Sequence, residues 1–231
     1  MFRRDLHRAM MKVLDALDAG VLAQSRCYFA GGTRISLAHD EFRVSRDLDF
    51  VCSDATGFAD LRQAVRERGY DGLFAADRPA DIATPREVRS DQYGMRFPVV
   101  IGALTIRVEL IREARITLGS ADSAPWTRLA LLSIPDLFAE KLLANSDRGA
   151  DAGELSRDLV DLAVLREAHG PIPAAAWSAA EAAYRTAPRA DLRTAGERFL
   201  ADSTFQERSF TGLQVDNRER VLRGVRLLLR D

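Results

Sequence analysis

Ser45-Arg46-Asp47-Leu48-Asp49-Phe50, together with Gly31-Gly32-Thr33 upstream, is the most informative part of this sequence. Strand-forming residues follow one another closely there, which predicts a strand over Val44–Cys52. Because side chains alternate between faces along a strand, Asp47 and Asp49 are expected on the same side. Two neighbouring carboxylates repel each other, and a divalent cation bound between them removes that repulsion.

The glycines and hydroxyl side chains around this strand predict a site for a nucleotide and Mg²⁺ (or Mn²⁺). Mg²⁺ takes hard oxygen ligands and keeps positions open for water and phosphate oxygens. Gly31 and Gly32 let the backbone approach a phosphate, and a short helix predicted over Thr33–His39 would turn its first amides toward it. Thr33 either donates its hydroxyl to phosphate or caps this helix, and Ser45 either binds a phosphate oxygen or caps a turn.

A third acid for the metal is expected on a neighbouring strand. Leu104–Ile111 alternates apolar and polar residues, and Gly102-Ala103 predicts a hairpin with the strand before it. Glu109 lies on the polar face of this strand and is either a metal ligand or a solvent-facing glutamate. Arg43 and Arg46 face either phosphates or solvent.

A second constellation lies downstream, where Lys141 precedes Arg157-Asp158-Leu159-Val160-Asp161. Asp158 and Asp161 share one face of a predicted helix, and the loop before it is long enough for the two helices to run antiparallel. Lys141 then either forms a salt bridge between the helices or reaches a triphosphate, positioned by the aspartate. The residue stands out because Lys12 is the only other lysine in the sequence.

The 231-residue chain has a net charge of −1 and 47% hydrophobic residues, which is typical of a soluble globular protein and not of a generally basic nucleic-acid binder. No apolar run reaches membrane-spanning length, and Met1–Gly20 has the charge pattern of an amphipathic helix rather than a signal peptide. Cys27 and Cys52 are expected to be reduced and buried, as in a cytoplasmic protein. The absence of a heptad seam or a long apolar stripe favours a monomer.

The order of patterns predicts an α/β unit over residues 1–120 and a helical domain over residues 121–231. In the first half we expect helices over residues 4–23 and Phe58–Arg68, and strands over Cys27–Ala30, around Gly72–Ala75 and over Val88–Val100. From Leu129 onward nearly everything is predicted helical, over Leu137–Ala144, Leu155–His169, Ala174–Arg185, Asp191–Ala201 and Asn217–Leu229.

Several common catalytic patterns are absent from the sequence. The three histidines show no zinc-hydrolase spacing, and there is no P-loop and no G-x-S-x-G elbow.

The last predicted helix aligns four arginines on one side, Arg220, Arg223, Arg226 and Arg230. This face is either the solvated side of an amphipathic helix or a contact surface for RNA phosphates.

The motifs, in this order and at these separations, resemble those of the AbiEii/AbiGii nucleotidyltransferase toxin family of bacterial toxin–antitoxin and phage-defence modules. The resemblance covers roughly residues 20–165. Phe29-Ala30-Gly31-Gly32-Thr33 with the Asp-x-Asp strand alone would indicate the broader polymerase-β-like nucleotidyltransferase superfamily. Lys141 with the Arg-Asp-x-x-Asp helix narrows the resemblance to the toxin family.

The resemblance implies an α+β fold, with a polymerase-β-like nucleotidyltransferase mixed-sheet core followed by a helical C-terminal domain. It also implies roles for individual residues. Gly31, Gly32 and Ser45 match the family's phosphate-binding signature, Asp47 and Asp49 match its metal-binding aspartates, and Lys141 and Asp158 match its downstream lysine and aspartate. The expected catalytic residues are therefore Asp47, Asp49, Lys141 and Asp158. Thr33, Arg46 and Lys141 are expected to join the glycines and Ser45 in binding the nucleotide. Glu109 matches only by its place on a later strand.

The implied reaction moves a nucleoside monophosphate from a nucleoside triphosphate to an RNA hydroxyl, with the tRNA 3′ end as the favoured acceptor. Two Mg²⁺ ions would acidify the attacking hydroxyl and neutralise the leaving pyrophosphate. The expected partners are the nucleotide, the RNA and a cognate antitoxin protein, with no membrane. A small molecule or a protein hydroxyl is the alternative acceptor, and a non-catalytic nucleotide-binding module is the alternative outside enzymes.

Overall fold

The computed structural model describes residues 2–231, and these residues form two compact units. The first unit contains residues 2–37 and Ser45–Ser133. The second contains Ala38–Val44 and Ile134–Asp231. Within residues 2–231 no helix is both long enough and apolar enough to span a membrane.

The first unit is built on one mixed sheet. Its helices are α1 (Asp5–Ala16), α2 (Ala19–Gln24), α3 (from Gly31, ending at Ala38) and α4 (Ala55–Arg68). Its strands are β1 (Cys27–Ala30), β2 (Asp47–Cys52), β3 (Ile82–Ala83), β4 (Arg89–Ser90), β5 (Gly94–Ile101), β6 (Leu104–Arg112), β7 (Asp122–Ala124) and β8 (Thr127–Leu131). The strand order is β3-β5-β6-β2-β1-β8-β7, and β4 pairs with β5.

The centre of the sheet is the part that positions the candidate site. β2 pairs antiparallel with β1 and parallel with β6, and β6 pairs antiparallel with β5. Alternation along β2 buries Leu48 and Phe50 in the core, while Asp47 and Asp49 stay half-buried on the other face. α4 begins where the Asp54 carboxylate accepts the amide hydrogens of Thr56 and Gly57.

The second unit is helical. It contains α5 (Ile134–Arg148), α6 (Arg157–His169), α7 (Ala174–Tyr184), α8 (Ala187–Ala201), α9 (Ser203–Gly212) and α10 (Arg218–Leu228). The segment Ala38–Val44 is tied to these helices by backbone hydrogen bonds, since the Val44 amide donates to the Leu213 carbonyl and the Asp216 amide to the Phe42 carbonyl. α6 and α10 lie so close that a Cβ atom at Gly224 would overlap the backbone of Ala163.

Three predictions are confirmed by the structure. The fold is of the α+β class, β5 and β6 form the expected hairpin, and β6 pairs beside β2. The helix predicted over residues 4–23 is in fact two helices, α1 and α2. No strand forms at Gly72–Ala75, where a 3₁₀ turn at Gly69–Gly72 is followed by a single bridge from Phe74 to Leu17. Because β7 and β8 continue the sheet, the first unit extends to Ser133, beyond the predicted limit at residue 120.

The prediction of two reduced cysteines is wrong, because the sulfur atoms of Cys27 and Cys52 are bonded to each other. The two residues are directly opposite in the antiparallel β1–β2 pair, with their Cα atoms 4.0 Å apart. Spacing along the chain did not reveal this because it carries no information about strand register.

Gly224→Ala should destabilise the helical unit, because the added methyl group would overlap the Ala163 carbonyl and force α10 away from α6. We expect a loss of about 1–3 kcal/mol in the free energy of unfolding, measured by chemical denaturation. Ser178→Ala, at an exposed position of α7, is the matched control and should change it by less than about 0.5 kcal/mol. Equal stability of the two variants would contradict the close packing.

Candidate functional site

The three predicted metal ligands lie side by side on one face of the sheet. Asp49 on β2 is directly opposite Ala30 on β1 and Glu109 on β6. Asp47, two residues earlier on β2, is opposite Arg107 on β6. Residues that are opposite each other in register share a face, so Asp47, Asp49, Arg107 and Glu109 form one cluster.

Arg107 joins the acids of this cluster. Its guanidinium donates to both carboxylate oxygens of Asp47, at 2.8 and 3.2 Å, and its Nε lies 3.2 Å from Glu109 Oε1. The hydrogen bond with Asp47 raises the pKa of Arg107 above its ordinary value, and the charges of Asp47, Glu109 and Asp49 add to this effect. The cation therefore lies between two of the predicted ligands, where it offsets their negative charge.

Gly31 is the residue that brings the backbone against Asp49. It has a φ of 71° at the start of α3, a backbone conformation that favours glycine. A Cβ atom at this position would overlap the Asp49 carboxylate. Only glycine therefore allows the first turn of α3 and the Asp-x-Asp strand to lie this close together.

The neighbouring predicted residues have definite places in the same unit. Thr33 is fully buried, and its hydroxyl donates to the backbone carbonyl of Asp47 at 2.6 Å, so it ties α3 to β2. Because α3 begins at Gly31, Thr33 lies in the first turn and does not occupy the N-cap. The Ser45 amide donates to His7 Nε2 at 3.4 Å. Arg46 is exposed.

The chemistry of the acids fits a hard divalent cation, because two aspartates and a glutamate in one register offer only oxygen ligands. Within residues 2–231, however, no group of three or more His, Cys, Asp or Glu side chains is arranged closely enough to hold a metal ion. The contacts of Arg107 account for this arrangement, since its guanidinium holds Asp47 and Glu109. A metal that used these ligands would take the place of that guanidinium.

The second predicted constellation forms a buried charge cluster inside the helical unit. Lys141 Nζ lies 2.9 Å from Asp158 Oδ1 and 2.7 Å from Asp161 Oδ2. Arg43 holds Asp161 through two contacts of 2.6 and 2.8 Å. Arg148 holds Asp158 through contacts of 2.7 and 2.9 Å. Arg43 therefore faces a carboxylate, and the prediction that it faces either phosphate or solvent is wrong.

The charges in this cluster stabilise each other against burial. Burial alone would lower the pKa of Lys141, but the charges of Asp158 and Asp161 outweigh it and raise that pKa. For Asp158, burial acts to raise the pKa, and the positive charges of Lys141 and Arg148 overcome it and hold the pKa well below its usual range. Lys141 and Asp158 are therefore both charged at neutral pH.

The arginine face of α10 is partly engaged within its own unit. Arg220 donates to Glu167 at 2.8 Å and lies 3.8 Å from Asp40, and Arg223 also contacts Glu167. Arg226 and Arg230 are exposed. Half of the predicted RNA surface is thus used to hold α10 on α6.

The comparisons with known proteins agree with this fold. A family model described as "Nucleotidyl transferase AbiEii toxin, Type IV TA system" matches residues 13–221. The solved structure of a candidate nucleotidyltransferase from H. pylori has 16% sequence identity and a TM-score of 0.56, covering 97% of this chain and 93% of its own. JHP933 from Helicobacter pylori has 15% identity and a TM-score of 0.54, covering 100% and 94%. No curated protein sequence matches the chain.

Arg107→Gln should strengthen binding of Mn²⁺ at the acid cluster, because it removes a cation that competes for Asp47 and Glu109. We expect the dissociation constant, measured by electron paramagnetic resonance of free Mn²⁺, to fall by about fivefold. Arg112→Gln, on the same strand with its side chain on the opposite face, is the control. Unchanged or weaker Mn²⁺ binding in Arg107→Gln would show that Arg107 does not compete with the metal.

Lys141→Met should destabilise the protein strongly, because two buried carboxylates lose a shared cation. We expect a decrease of about 3–5 kcal/mol in the free energy of unfolding. Lys12→Met removes the other lysine, whose exposed pair with Asp81 spans 3.3 Å, and should cost less than about 1 kcal/mol. If the two variants are equally stable in denaturant, the cluster does not hold the helices.

Proposed function

Because the chain belongs to the AbiEii nucleotidyltransferase toxin family, we propose that it is a metal-dependent toxin that transfers a nucleoside monophosphate to RNA. The donor is a nucleoside triphosphate, and the favoured acceptor is the 3′ end of tRNA. The observation that carries the proposal is the register of the sheet. It aligns Asp49 with Glu109 and packs Gly31 against the Asp49 carboxylate.

Asp47, Asp49 and Glu109 are the residues that would hold Mg²⁺ (or Mn²⁺). When bound, the metal neutralises phosphate charge and activates the attacking hydroxyl. Arg107, which contacts both Asp47 and Glu109 in this structure, would then be available to bind a phosphate oxygen. The amides at the start of α3 point away from the helix body and suit the triphosphate, with the glycines allowing close approach. Ser45 and Arg46 lie just before β2 and complete the proposed nucleotide site.

We also propose that Lys141 and Asp158 contribute to the reaction. In the structure Lys141 forms ion pairs with Asp158 and Asp161 inside the helical unit, and these pairs stabilise that unit. If it also adds positive charge at the phosphates, Lys141→Met will lose nucleotide transfer at a temperature where it remains folded. If the cluster acts only on stability, transfer per folded molecule will match the unaltered protein.

Transfer should be assayed with each of the four labelled nucleoside triphosphates, Mg²⁺ and total RNA, followed by sizing of the labelled RNA. We expect one or more nucleotides to label RNA of tRNA length, and Asp49→Ala to reduce labelling by about a hundredfold or more. Asp77→Ala, at an exposed position away from the acid cluster, should retain full transfer. Growth arrest on expression should follow the same pattern.

Other outcomes would overturn parts of the proposal. Label in protein or in small molecules from whole-cell extract, with none in RNA, would exclude the RNA acceptor. Nucleotide binding without pyrophosphate release would exclude the enzyme activity itself. Full transfer by Asp49→Ala would exclude the assigned metal site.

We further propose that the protein has a cognate antitoxin and lies in the cytoplasm. Relief of growth arrest by an adjacent gene would test the first proposal, and cell fractionation would test the second.

A further inference from the structure

We propose that the β4–β5 hairpin, residues 89–96, is the binding element for the single-stranded 3′ end of the acceptor RNA. Tyr93 would stack on a base, and Arg89 and Arg96 would bind phosphates. This inference rests on the proposed function, because it assigns the acceptor side of the same site. Every residue that carries it belongs to the first unit.

The strand order gives the donor and the acceptor opposite sides of the acid cluster. In phosphoryl transfer the attacking oxygen and the leaving oxygen lie roughly in line across the phosphorus. Gly31 follows β1, on one side of β2, and the triphosphate is proposed to bind there. β6 and β5 lie on the other side of β2. The acceptor hydroxyl therefore approaches over Glu109 and the strands beyond it.

Arginines continue the register of the acids in that direction. Arg96 on β5 is directly opposite Glu109, and Arg89 on β4 is directly opposite Arg96. Adjacent strands are about 5 Å apart, so the two guanidiniums follow the metal ligand in even steps on the same face. The Arg96 contacts with Asp91 and Glu109, at 3.7 and 3.8 Å, are long, and the side chains of Arg96 and Asp91 are exposed, so Arg96 can easily exchange these contacts for phosphate.

An aromatic residue, Tyr93, lies between these two arginines in the sequence. Tyr93 is 67% exposed and is the single large hydrophobic side chain left exposed among the described residues. The turn that presents it is ordered, because Asp91 accepts the amide hydrogens of Tyr93 and Gly94 at 2.7 and 2.9 Å. An exposed aromatic beside arginines is the combination that binds single-stranded nucleic acid, since the ring stacks on any base.

A basic groove continues the surface behind β4. It has a volume of about 830 Å³ and lies between α4 and the segment that precedes β4. Arg62, Arg66 and Arg86 line it, with Glu87 as the acid among its lining residues. The groove and the hairpin meet at Ser90 of β4, which lines the groove and whose hydroxyl accepts from Arg62 Nε at 3.3 Å. Hydrogen bonds from the amides of Tyr93 and Gly94 lower the pKa of Asp91, and the charges of Arg96 and Arg62 add to the effect.

The direct test is binding of a fluorescent single-stranded RNA, without nucleotide, at several salt concentrations. We expect Tyr93→Ala to weaken binding by about tenfold and to leave the salt dependence unchanged, and Tyr93→Phe to restore binding. Arg89→Gln with Arg96→Gln should reduce the slope of log K against log salt by about 1.4, for two phosphate contacts. Arg68→Gln with Arg112→Gln removes the same charge from exposed positions outside the hairpin and groove and should change neither quantity.

In the transfer assay, the hairpin variants should raise the KM for RNA and leave the KM for the nucleoside triphosphate unchanged. RNA binding that is insensitive to the hairpin variants, or equally sensitive to the control pair, would overturn the inference even if transfer to RNA is demonstrated. Label on a protein acceptor that the hairpin variants do not alter would overturn it too. If the hairpin variants weaken RNA binding but neither they nor the unaltered protein transfer nucleotide, the proposed function is wrong. The assignment of the hairpin as an RNA-binding element would then still hold.

Discussion

The register of β2 between β1 and β6 is the constraint on which the first unit depends. It is fixed by burial, because Leu48 and Phe50 must lie on the core face. A slip of one residue would place these side chains on the open face and Asp47 and Asp49 in the core, at a cost no single hydrogen bond could offset. The same register sets Glu109 beside Asp49, so hydrophobic packing on one face positions the acids on the other.

The two units treat clustered carboxylates in different ways. On the open sheet face, one arginine bridges two half-buried acids, and the pairs are accessible and exchangeable. In the helical unit, three cations surround Asp158 and Asp161 where water is largely excluded. The first arrangement suits a site that must admit a metal and a polyanion. The second resists rearrangement, because Lys141, Asp158 and Asp161 each have two partners in the cluster, and loss of any one of these three breaks two ion pairs at once.

Strand alternation and the two motifs were sufficient to predict β1, β6 and the alignment of Glu109 with the Asp-x-Asp strand. The contacts of Arg107 were not predicted, because they depend on the cross-strand register, which the sequence does not encode locally. The burial of Arg43 has the same kind of origin, because its partner Asp161 is distant in sequence. β7 and β8 were not predicted, because they are short and directly precede α5. Their residues were therefore assigned to the helical domain. The roles of the site residues stay predictions.

The bond between Cys27 and Cys52 closes a covalent ring in the chain. Gly31, Thr33, Ser45, Asp47 and Asp49 all lie between the two cysteines in sequence. A protease that cuts the backbone anywhere within this ring opens it without separating the fragments. Nicked protein would then migrate as one species until a reductant is added, so an intact band on a non-reducing gel does not establish that the polypeptide through the nucleotide site is continuous.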